Sequence, residues 1–432
     1  MPDGPRPSRL LALYRAWSPA GAALLPLARP FSAKLRAGLD GRRGLFARAA
    51  ATAPLLEGCV WFHASSVGEY EQARPVIAAL RAQPGAPPIA VTHFSPSGYH
   101  YGLRRPCGDH HDYLPLDTPR AAACLLDLWR PRALVFVKFD CWPNLVLAAR
   151  ARGVPVLLAA GTLQPRSARL RSGLRPFFRA LFDRFTALGV CTDGDRQRFV
   201  NGLGIATDVT VTGDTRADQV IRRWEASAGG PAARRLSSLG RRRLVLGSTW
   251  PRDEALWLPV LPALTERFED LRVVVAPHEP EPRRVADLAR GLTRRGLAAV
   301  RLSEVLPRDD DVGAGTCVIV DSVGLLAEIY HAGTLAYVGG SFTTGVHNTL
   351  EPAVASLPVL FGPVIHNAVE AGSLVDGGAG FVVRRPAEAL AAAAALLAQP
   401  DRLAAAGAAA REVVLAQRGA TEKTVALIQG CL

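Results

Sequence analysis

The sequence contains few cysteines, and their spacing is not one that is typical of disulfide-bonded or metal-binding cysteines. There are seven, an odd number, and no two of them form a C-x-x-C pair. A disulfide framework uses cysteines in pairs in an oxidising compartment, and structural zinc sites use closely spaced cysteines. We therefore predict reduced thiols in the cytoplasm, without disulfide bonds and without a zinc site.

A long uninterrupted hydrophobic run is also missing. The apolar stretch near the N-terminus, residues 10–31, is broken by three prolines and two arginines, whereas a spanning helix needs about 20 consecutive apolar residues. No apolar segment followed by a cleavage site indicates a signal peptide. Apolar residues mixed with arginines favour a segment that lies on an anionic membrane surface, and an ordinary surface helix is the alternative.

Lysine occurs at only three of the 432 positions, so arginine carries almost all of a formal net charge of +13. Such a charge points to nucleic acid, an anionic membrane surface or an acidic substrate as partner. The first fifty residues hold nine basic side chains against two acidic ones, and residues 166–184 hold six arginines. Basic residues interleaved with aromatic ones, typical of proteins that bind single-stranded nucleic acid, are absent. We expect a membrane surface as partner and no nucleic acid.

Short apolar runs alternate with amphipathic stretches from residue 60 onward, which is typical of βαβ units and parallel sheets. The predicted strands are residues 60–64, 89–92, 133–137, 154–159, 188–191, 209–212, 244–247, 273–276, 318–320, 335–338 and 359–361. Helices are predicted over residues 71–81, 120–129, 144–152 and 386–418, and from a cap at Asp193 to about residue 203. The pattern predicts the α/β class, with two Rossmann-like doubly wound domains facing a central cleft.

Residues 222–243 lack strand periodicity and are rich in glycine, alanine, serine and arginine. This composition is typical of a linker with a surface helix. We therefore predict four segments. A membrane-associating segment spans residues 1–50, the first domain residues 51–221, the linker residues 222–243 and the second domain residues 244–432.

The first candidate site lies where the first predicted strand ends. The chain continues as SSVGE at residues 65–69, small residues followed by a glutamate at the start of a helix. Ligands of open α/β sheets bind at the carboxyl ends of strands, and a carboxylate there can act as a general base. Glu69 is therefore a candidate base. The alternative is a first-turn glutamate that stabilises the helix dipole.

The second candidate site is the run GGSFTTGVHNTLEP at residues 339–352, directly after a predicted strand. Glycines let backbone N–H groups approach an anion, and a helix that begins near Asn348 favours a phosphate at its N-terminus. Glu351, one turn into that helix, is placed to accept two hydroxyls of a ribose. An ordinary βα loop with a capped helix is the alternative.

Two shorter turns end the first two predicted strands of the second domain. They read GST at residues 247–249 and PHEP at residues 277–280, and both lie where a nucleotide binds in this fold class. Ser248 and Thr249 are able to bond phosphate oxygens, and simple N-capping is the alternative.

Two acidic or histidine-rich runs resemble metal-binding sequences. The three aspartates at residues 309–311 lie in an irregular segment that we interpret as a solvated loop. The run HHD at residues 110–112 has no partner cluster in the sequence. We therefore predict no metal site.

Together these motifs resemble the Kdo (3-deoxy-D-manno-octulosonic acid) transferases, which have the B-type glycosyltransferase (GT-B) fold. The resemblance covers most of the chain, and its strongest part is VGGSFTTGVHNTLEPA at residues 338–353. The other matching pieces are WFHASSVGE at 61–69, THFSPSG at 92–98, YLPLD at 113–117, WPN at 142–144, GP at 362–363 and Asn367. Their order and spacing make the resemblance specific.

The resemblance implies transfer of Kdo from CMP-Kdo to a lipid A precursor of the lipid IVA type, in lipopolysaccharide core biosynthesis. The reaction would be inverting and metal-independent, without a cofactor beyond the donor substrate CMP-Kdo. It would take place at the cytoplasmic face of the inner membrane. The first domain would bind the acceptor and the second the donor, and Glu69 matches the family's catalytic base.

Further site residues follow from the same resemblance. The implied donor-binding residues are Ser248, Thr249, His278, Gly340, Ser341, Gly345, His347, Asn348, Glu351 and Asn367. The implied acceptor-binding residues are Ser66, Gly68, Lys138 and Arg166, and the arginine run that begins with Arg166 would face the phosphates of lipid A. A solvated helix face is the alternative for that run.

The chain departs from the family pattern in three places. Many members have Glu-x-Glu where this chain has Lys-Phe-Asp at residues 138–140. Asp140 keeps the second acid and is the second predicted catalytic residue, whereas Lys138 reverses the first charge. The family's Pro-Arg-His-Pro reads PHEP around His278, and its Asn-Ala-Arg stretch ends in Thr162. We expect altered contacts to the acceptor and to the cytidine.

Two other functions stay open. One is a UDP-sugar epimerase of the same fold, which UDP rather than CMP would stabilise. The other is a non-catalytic, membrane-associated GT-B scaffold. Glu69 and the intact donor loop argue against a scaffold, because a degenerate relative would lose them.

Overall fold

The computed structural model describes residues 8–432, except residues 309, 311, 314, 344 and 367. The chain divides into two compact units. Unit 1 comprises Met1–Asp218 and Arg418–Leu432, and unit 2 comprises Gln219–Gln417. Each unit contains one parallel sheet of seven strands with helices on its faces, which confirms the predicted α/β class with two doubly wound domains.

The sheet of unit 1 is made of buried apolar runs. Its strands are β1 (Val60–His63), β2 (Ile89–His93), β3 (His110–Tyr113), β4 (Ala133–Val137), β5 (Val156–Gly161), β6 (Ala187–Val190) and β7 (Val209–Val211). They lie in the order β3-β2-β1-β4-β5-β6-β7. Helices cover both faces of a parallel sheet, so β1 and β4 are buried at every position rather than alternating.

The helices of unit 1 connect these strands and extend N-terminal to them. They are α1 (Arg9–Leu24), α2 (Ala33–Gly41), α3 (Leu45–Leu56), α4 (Val67–Arg81), α5 (Pro96–Arg104), α6 (Pro119–Trp129), α7 (Pro143–Ala151), α8 (Arg175–Phe182) and α9 (Asp193–Gln197), with 3₁₀ turns at Leu25–Phe31 and Ala168–Leu170 and a π-helix at Arg198–Leu203. Helix α9 is capped by Thr192, not by Asp193 as predicted, because the Thr192 hydroxyl accepts the hydrogen bond from the Asp195 N–H.

The sheet of unit 2 repeats this architecture. Its strands are β8 (Arg242–Thr249), β9 (Leu271–Pro277), β10 (Ala299–Arg301), β11 (Cys317–Ile319), β12 (Leu335–Val338), β13 (Val359–Phe361) and β14 (Gly380–Val382), in the order β10-β11-β9-β8-β12-β13-β14. The chain continues through α10 (Thr215–Ala226), α11 (Pro231–Ser237), α12 (Pro251–Trp257), α13 (Leu261–Arg267), α14 (Pro282–Thr293), α15 (Leu302–Val305), α16 (Leu326–Ala332), α17 (Leu350–Val354), α18 (Val369–Asp376), α19 (Pro386–Ala398), α20 (Pro400–Leu415) and α21 (Ala420–Gln429). The helix predicted over residues 386–418 is two helices, because Pro400 cannot continue α19.

The two units differ from the predicted segments at both ends of unit 2. The predicted linker, residues 222–243, is ordered structure of unit 2, since Ala232 and Leu236 of α11 are buried in its core. The C-terminal helix α21 belongs to unit 1 rather than to the second domain, because Val425 and Ile428 pack into the core around β1. None of the helices in the described part of the chain combines the length and the hydropathy that a membrane span requires.

Candidate active site

Both sheets carry their candidate residues at the point where the strand order reverses. In unit 1 this point lies between β1 and β4, and the turns that follow these strands carry Glu69 and Asp140. In unit 2 it lies between β8 and β12, where Ser248 is the next-to-last residue of β8 and Gly340 lies in the turn after β12. Open α/β sheets bind ligands in the crevice at such points. The topology therefore assembles one candidate site in each unit.

Glu69 takes part in capping α4 from the first turn of that helix. Its Oε2 accepts hydrogen bonds from the Ser65 N–H at 2.5 Å and the Ser66 N–H at 3.2 Å, while Ser66 Oγ accepts from the Glu69 N–H at 3.4 Å. This reciprocal pair is a capping box, so the helix-stabilising role is present. Capping uses one oxygen only, and no described residue donates a hydrogen bond to Oε1. Oε1 is therefore able to accept a proton.

The environment of Glu69 raises its affinity for a proton. The side chain is 3% exposed, and this burial raises its pKa to about 7, with a further contribution from the negative charge of Asp140. The backbone bonds of Ser65 and Ser66 and the charge of Lys138 act in the opposite direction. A general base works best when its pKa lies near the working pH. Glu69 meets that condition at neutral pH.

Ser65 connects the two acids. Its N–H donates to Glu69 and its hydroxyl donates to Asp140 Oδ2. Ser65 Oγ also lies 2.9 Å from His63 Nε2, which accepts a hydrogen bond from Trp142 Nε1 at 3.0 Å. Burial lowers the pKa of His63 to about 3, so the ring is neutral. Both residues lie in the run that the sequence marks as the first candidate site, but sequence reasoning assigned no role to Ser65 or His63.

The predicted acceptor residues lie at the same edge of the unit 1 sheet. A Cβ at Gly68 would meet no atom within 4 Å, so the first turn of α4 is open there. Lys138 directly follows β4 and has a left-handed backbone with φ of 69°, which turns the chain sharply before Asp140. Arg166 is exposed in the segment after β5, the neighbour of β4. Their roles toward an acceptor stay predictions.

A chain of neutral histidines supports the loop that holds Glu69. The Gly108 N–H donates to His111 Nε2 at 3.3 Å, and His111 Nδ1 lies 3.2 Å from His93 Nε2. His93 Nδ1 in turn lies 2.9 Å from the Ala64 carbonyl oxygen and donates a hydrogen bond to it. A single tautomer of each ring satisfies all three bonds. His111, one histidine of the run at residues 110–112, thus has a structural role at the end of β1.

Asp253 joins the two turns of the unit 2 site. Its Oδ2 accepts from the Trp250 N–H at 2.8 Å and from the Gly340 N–H at 3.0 Å, and its Oδ1 accepts from the Tyr337 hydroxyl at 2.5 Å. The side chain is 1% exposed. Sequence reasoning missed Asp253, because an acid in the first turn of a helix looks like ordinary helix capping. In the structure it fixes the turn after β8 against the turn after β12.

The end of β8 and the turn after β12 approach each other through their backbones. A Cβ at Gly339 would lie 2.3 Å from the Ser248 carbonyl oxygen, and one at Gly340 would lie 2.6 Å from the Gly345 carbonyl oxygen. Gly340 has a φ of 93° and Ser248 a φ of 52°, both in the left-handed region. Glycine is the residue that fits such a contact. The glycines at positions 339 and 340 therefore allow the close backbone contacts that a side chain would block.

Three rings form a stack beside these turns. The centroids of His278 and His347 lie 4.3 Å apart at an interplanar angle of 12°, and those of Trp250 and His278 lie 4.9 Å apart at 29°. Trp250 Nε1 donates to His347 Nε2 at 2.7 Å. Burial, together with the neighbouring His278, lowers the pKa of His347 to about 4. The stack presents flat, neutral rings at the carboxyl end of the sheet.

The predicted donor residues fall into two groups by exposure. Ser341 and Thr249 are buried, and their hydroxyls are used inside the protein: Ser341 Oγ accepts from the Gly362 N–H, and Thr249 Oγ1 donates to Glu254. Both side chains therefore shape the turns. The residues that stay at least partly accessible are Ser248, His278, His347, Asn348 and Glu351.

The remaining donor predictions have mixed outcomes. Helix α17 begins at Leu350 rather than near Asn348, whose Oδ1 accepts the Leu350 N–H at 3.1 Å. Glu351 accepts a hydrogen bond from Arg223 at 2.7 Å. Asn367 lies outside the described residues. Among the residues that are described, no group of three histidine, cysteine or acidic side chains is arranged to hold a metal ion.

Comparison with known proteins identifies relatives of this chain. The family described as "3-Deoxy-D-manno-octulosonic-acid transferase (kdotransferase)" matches residues 37–219. The 3-deoxy-D-manno-octulosonic acid transferase of Bordetella pertussis is 31% identical over 398 residues, which cover 90% of this chain and 91% of that protein. An identity of this size over nearly the whole of both chains shows common family membership.

Solved structures share the architecture. The Acinetobacter baumannii protein MurG has a TM-score of 0.57 at 17% identity, covering 87% of this chain and 99% of that one. A UDP-GlcNAc 2-epimerase from Neisseria meningitidis also has a TM-score of 0.57, at 12% identity over 86% of this chain and 98% of the other. Likeness at such identities shows the fold alone, and it confirms the GT-B fold. The sequence relationship decides the family: the chain is a glycosyltransferase and belongs to the 3-deoxy-D-manno-octulosonic acid (Kdo) transferases.

Proposed function

We propose that the chain transfers Kdo from CMP-Kdo to a hydroxyl of a lipid A precursor, with Glu69 as general base. The observation that carries this proposal is the state of Glu69, which is buried, held through one oxygen and raised in pKa to about 7. The acceptor hydroxyl loses its proton to Glu69 Oε1 as its oxygen attacks the anomeric carbon. The bond from that carbon to the phosphate breaks, and CMP leaves with the electron pair. Attack opposite the leaving group inverts the anomeric centre.

The donor is assigned to unit 2. The end of β8 presents the accessible side chain of Ser248, and the loop after β12 presents that of Asn348. The flat rings of His278 and His347 offer a surface for a nucleotide. Preorganised polar groups stabilise charge that develops on a leaving group, and the Asp253 bonds hold these two segments in place. No resident metal enters the proposed reaction.

The direct test is a turnover assay with CMP-Kdo and a purified lipid A precursor. We expect a product heavier than the acceptor by Kdo residues, and mass spectrometry will count them. Thermal unfolding in the presence of CMP or UDP separates the transferase from a UDP-sugar epimerase. Stabilisation by UDP alone, without transfer from CMP-Kdo, would contradict the proposal.

Activity is expected to depend on the ionisation of Glu69. The base must be ionised, so the turnover rate will rise with pH through a midpoint near pH 7 and then level off. Asp140→Asn removes a charge that raises the pKa of Glu69 and will move the midpoint to lower pH. Lys138→Met removes a positive charge that lowers the pKa of Glu69, so this variant will move the midpoint to higher pH. pH–rate profiles at saturating substrates measure both shifts.

A matched control is available on the surface of unit 1. Asp127 pairs with Arg152 at 2.7 Å near the ends of α6 and α7, where β4 and β5 begin, whereas the site lies where β1 and β4 end, so Asp127→Asn should leave the midpoint unchanged. Identical profiles for wild type, Asp140→Asn and Lys138→Met would mean that Glu69 is not the group that titrates.

We also propose that the described part of the predicted membrane-associating segment, residues 8–50, lies on the cytoplasmic face of the inner membrane. Large apolar side chains are exposed along the first part of this segment, at Leu10, Leu13, Trp17, Leu24, Leu27 and Phe31. Four of them follow one another at helical spacing on one face of α1. Exposed apolar patches with neighbouring arginines are typical of surfaces that bind anionic membranes.

Removing apolar side chains from this face should weaken membrane binding. Trp17 is 71% exposed, Leu27 71% and Phe31 88%, and serine at all three positions should lower partition onto anionic vesicles about tenfold or more. Cosedimentation with phosphatidylglycerol-containing vesicles measures it. Val323→Ser in unit 2, also at an exposed position (78%), is the control and should change nothing. Equal binding by the triple variant would rule out this face.

A further inference from the structure

A cavity of about 280 Å³ lies in unit 1 between the N-terminal helices and the turn after β2. Its lining is mainly apolar, with Leu25, Leu35, Leu39, Phe94 and Pro96 among the residues that surround it. An apolar cavity of about 150 Å³ is already large enough to bind benzene. This cavity therefore has room for a segment of hydrocarbon chain.

Arg42 holds the walls of the cavity in place. Its guanidinium donates to the carbonyl oxygens of Gly38 at 2.7 Å, Leu114 at 2.7 Å and Phe94 at 3.0 Å. These three carbonyls belong to α2 and to the turns after β2 and β3, so one side chain ties three segments together. Burial lowers the pKa of Arg42 to about 10, which leaves it charged at neutral pH. The cavity is thus a preformed pocket.

One wall of the pocket is shared with the Glu69 site. Ser95, which lines the pocket, donates its N–H to the Ser65 carbonyl oxygen at 2.9 Å. The Ser65 N–H in turn donates to Glu69. Phe94, on the same wall, packs against Trp142 with ring centroids 4.6 Å apart. A group bound in the pocket therefore contacts Ser95, which is hydrogen-bonded to Ser65, the residue that in turn binds Glu69.

The opposite wall belongs to the segment with the exposed apolar side chains. The 3₁₀ turn Leu25–Phe31 contributes Leu25 to the pocket and exposes Leu27 and Phe31 on its outer side. Lys34, also part of the lining, is exposed and carries a positive charge. The pocket thus lies between an apolar, cationic surface and the catalytic carboxylate.

We propose that this pocket binds one acyl chain of the lipid acceptor and so aligns the acceptor's sugar with Glu69. The inference rests on the proposed function and adds a site for the hydrocarbon part of the substrate. A lipid acceptor fits because its chain matches the apolar lining, its anionic head group matches Lys34, and its hydroxyl has to reach Glu69. A bilayer phospholipid shares the chain but offers no sugar hydroxyl for transfer.

Photo-crosslinking tests the pocket without turnover. The probe is an acylated glucosamine disaccharide bisphosphate with a diazirine near the end of one acyl chain, irradiated with the full-length protein. We expect crosslinks on Leu35, Leu39 or Phe94, and competition by the unlabelled acylated disaccharide but not by phosphatidylglycerol. Crosslinks confined to exposed residues of α1 such as Trp17, or equal competition by phosphatidylglycerol, would overturn the proposal.

Kinetics with two acceptors provides the second test. A Cβ at Gly38 would lie 3.2 Å from an Arg42 nitrogen and 3.8 Å from Pro96 Cγ, so the side chain of Gly38→Leu enters the pocket. We expect KM for the acylated acceptor to rise about tenfold or more, as apolar pockets discriminate single methylenes by such factors. The deacylated acceptor should keep its wild-type kcat/KM. Gly430→Leu, at the exposed end of α21 in the same unit, is the control, since its Cβ would make only ordinary contacts, 3.5 Å to the Ala426 carbonyl oxygen and 3.8 Å to that of Leu427.

A second variant separates loss of the pocket from loss of the fold. Leu35→Ser, at a half-buried position, makes the lining polar without adding bulk and should also raise KM for the acylated acceptor alone. If each variant changed the kinetics of the acylated and the deacylated acceptor by the same factor, the pocket would not bind the acyl chain, and this proposal would be wrong while Kdo transfer itself would stand. A wild-type protein that transfers to neither acceptor yet crosslinks inside the pocket would instead contradict the proposed function.

Discussion

Replacing Glu69 with glutamine is expected to lower the turnover number about 10²–10⁴-fold, the usual contribution of a general base. The amide oxygen can still accept the hydrogen bonds of the Ser65 and Ser66 N–H groups, so the cap of α4 persists. The amide cannot take a proton from the acceptor hydroxyl. Initial rates of transfer from CMP-Kdo and a thermal unfolding curve, measured on the same preparation, separate chemistry from stability.

The control for this variant lies two residues further along the same helix. Glu71 accepts hydrogen bonds from Arg74 and Tyr101, and Glu71→Gln changes charge by the same amount. Its rate should stay within about threefold of wild type, as expected for a side chain outside the reaction. If Glu69→Gln retained a tenth or more of the activity, Glu69 would be a helix cap and the base would have to be sought elsewhere.

The second large effect is expected at Asp253, which carries no predicted contact with substrate. Asp253→Ala leaves the Trp250 N–H, the Gly340 N–H and the Tyr337 hydroxyl without their acceptor. Each unsatisfied buried donor costs about 1–3 kcal/mol, so unit 2 should lose roughly 3 kcal/mol or more of its free energy of unfolding. Because both turns move, the Kd for CMP should also rise about tenfold or more. Chemical denaturation and calorimetric titration with CMP measure the two effects.

A surface aspartate of the same unit is the matched control. Asp270 pairs with Arg242 at 2.5 Å, and both side chains are 33% exposed. Exposed ion pairs contribute about 0–1 kcal/mol, so Asp270→Ala should have little effect on either measurement. If Asp253→Ala destabilised unit 2 but bound CMP as wild type does, the turns would not form the donor site.

The segments that carry the two candidate sites could be predicted because their functional residues follow one another directly in the sequence. A buried strand, small residues and a glutamate follow one another at β1, and a strand, two glycines and a polar loop at β12. Strand order then follows from the rules of doubly wound sheets. What these turns contact could not be predicted. Ser65 and Asp253 act through partners that lie 75 and 87 residues away in the chain.

The three strands that pattern reading missed all lie at the edge of a sheet, and they were missed for two different reasons. β3 reads HHDY, without an apolar run, because its buried polar groups are paired: His111 with His93, and Asp112 with Arg48. β10 and β14 lie at the edges of the unit 2 sheet and have three residues each, too few to show a period. The sequence also could not show that α21 packs on the sheet of unit 1, because the pattern of an amphipathic helix does not indicate which sheet the helix covers.

The position of α21 has a consequence for how the protein is made. Its residues Val425 and Ile428 complete a core whose other members lie before residue 219. Ribosomes deliver domains in order, and the earlier domain usually folds first. Here the first unit to be started is completed only after the whole of the second has been synthesised. Unit 2, which is one contiguous stretch, is the part free to mature while the chain is still growing.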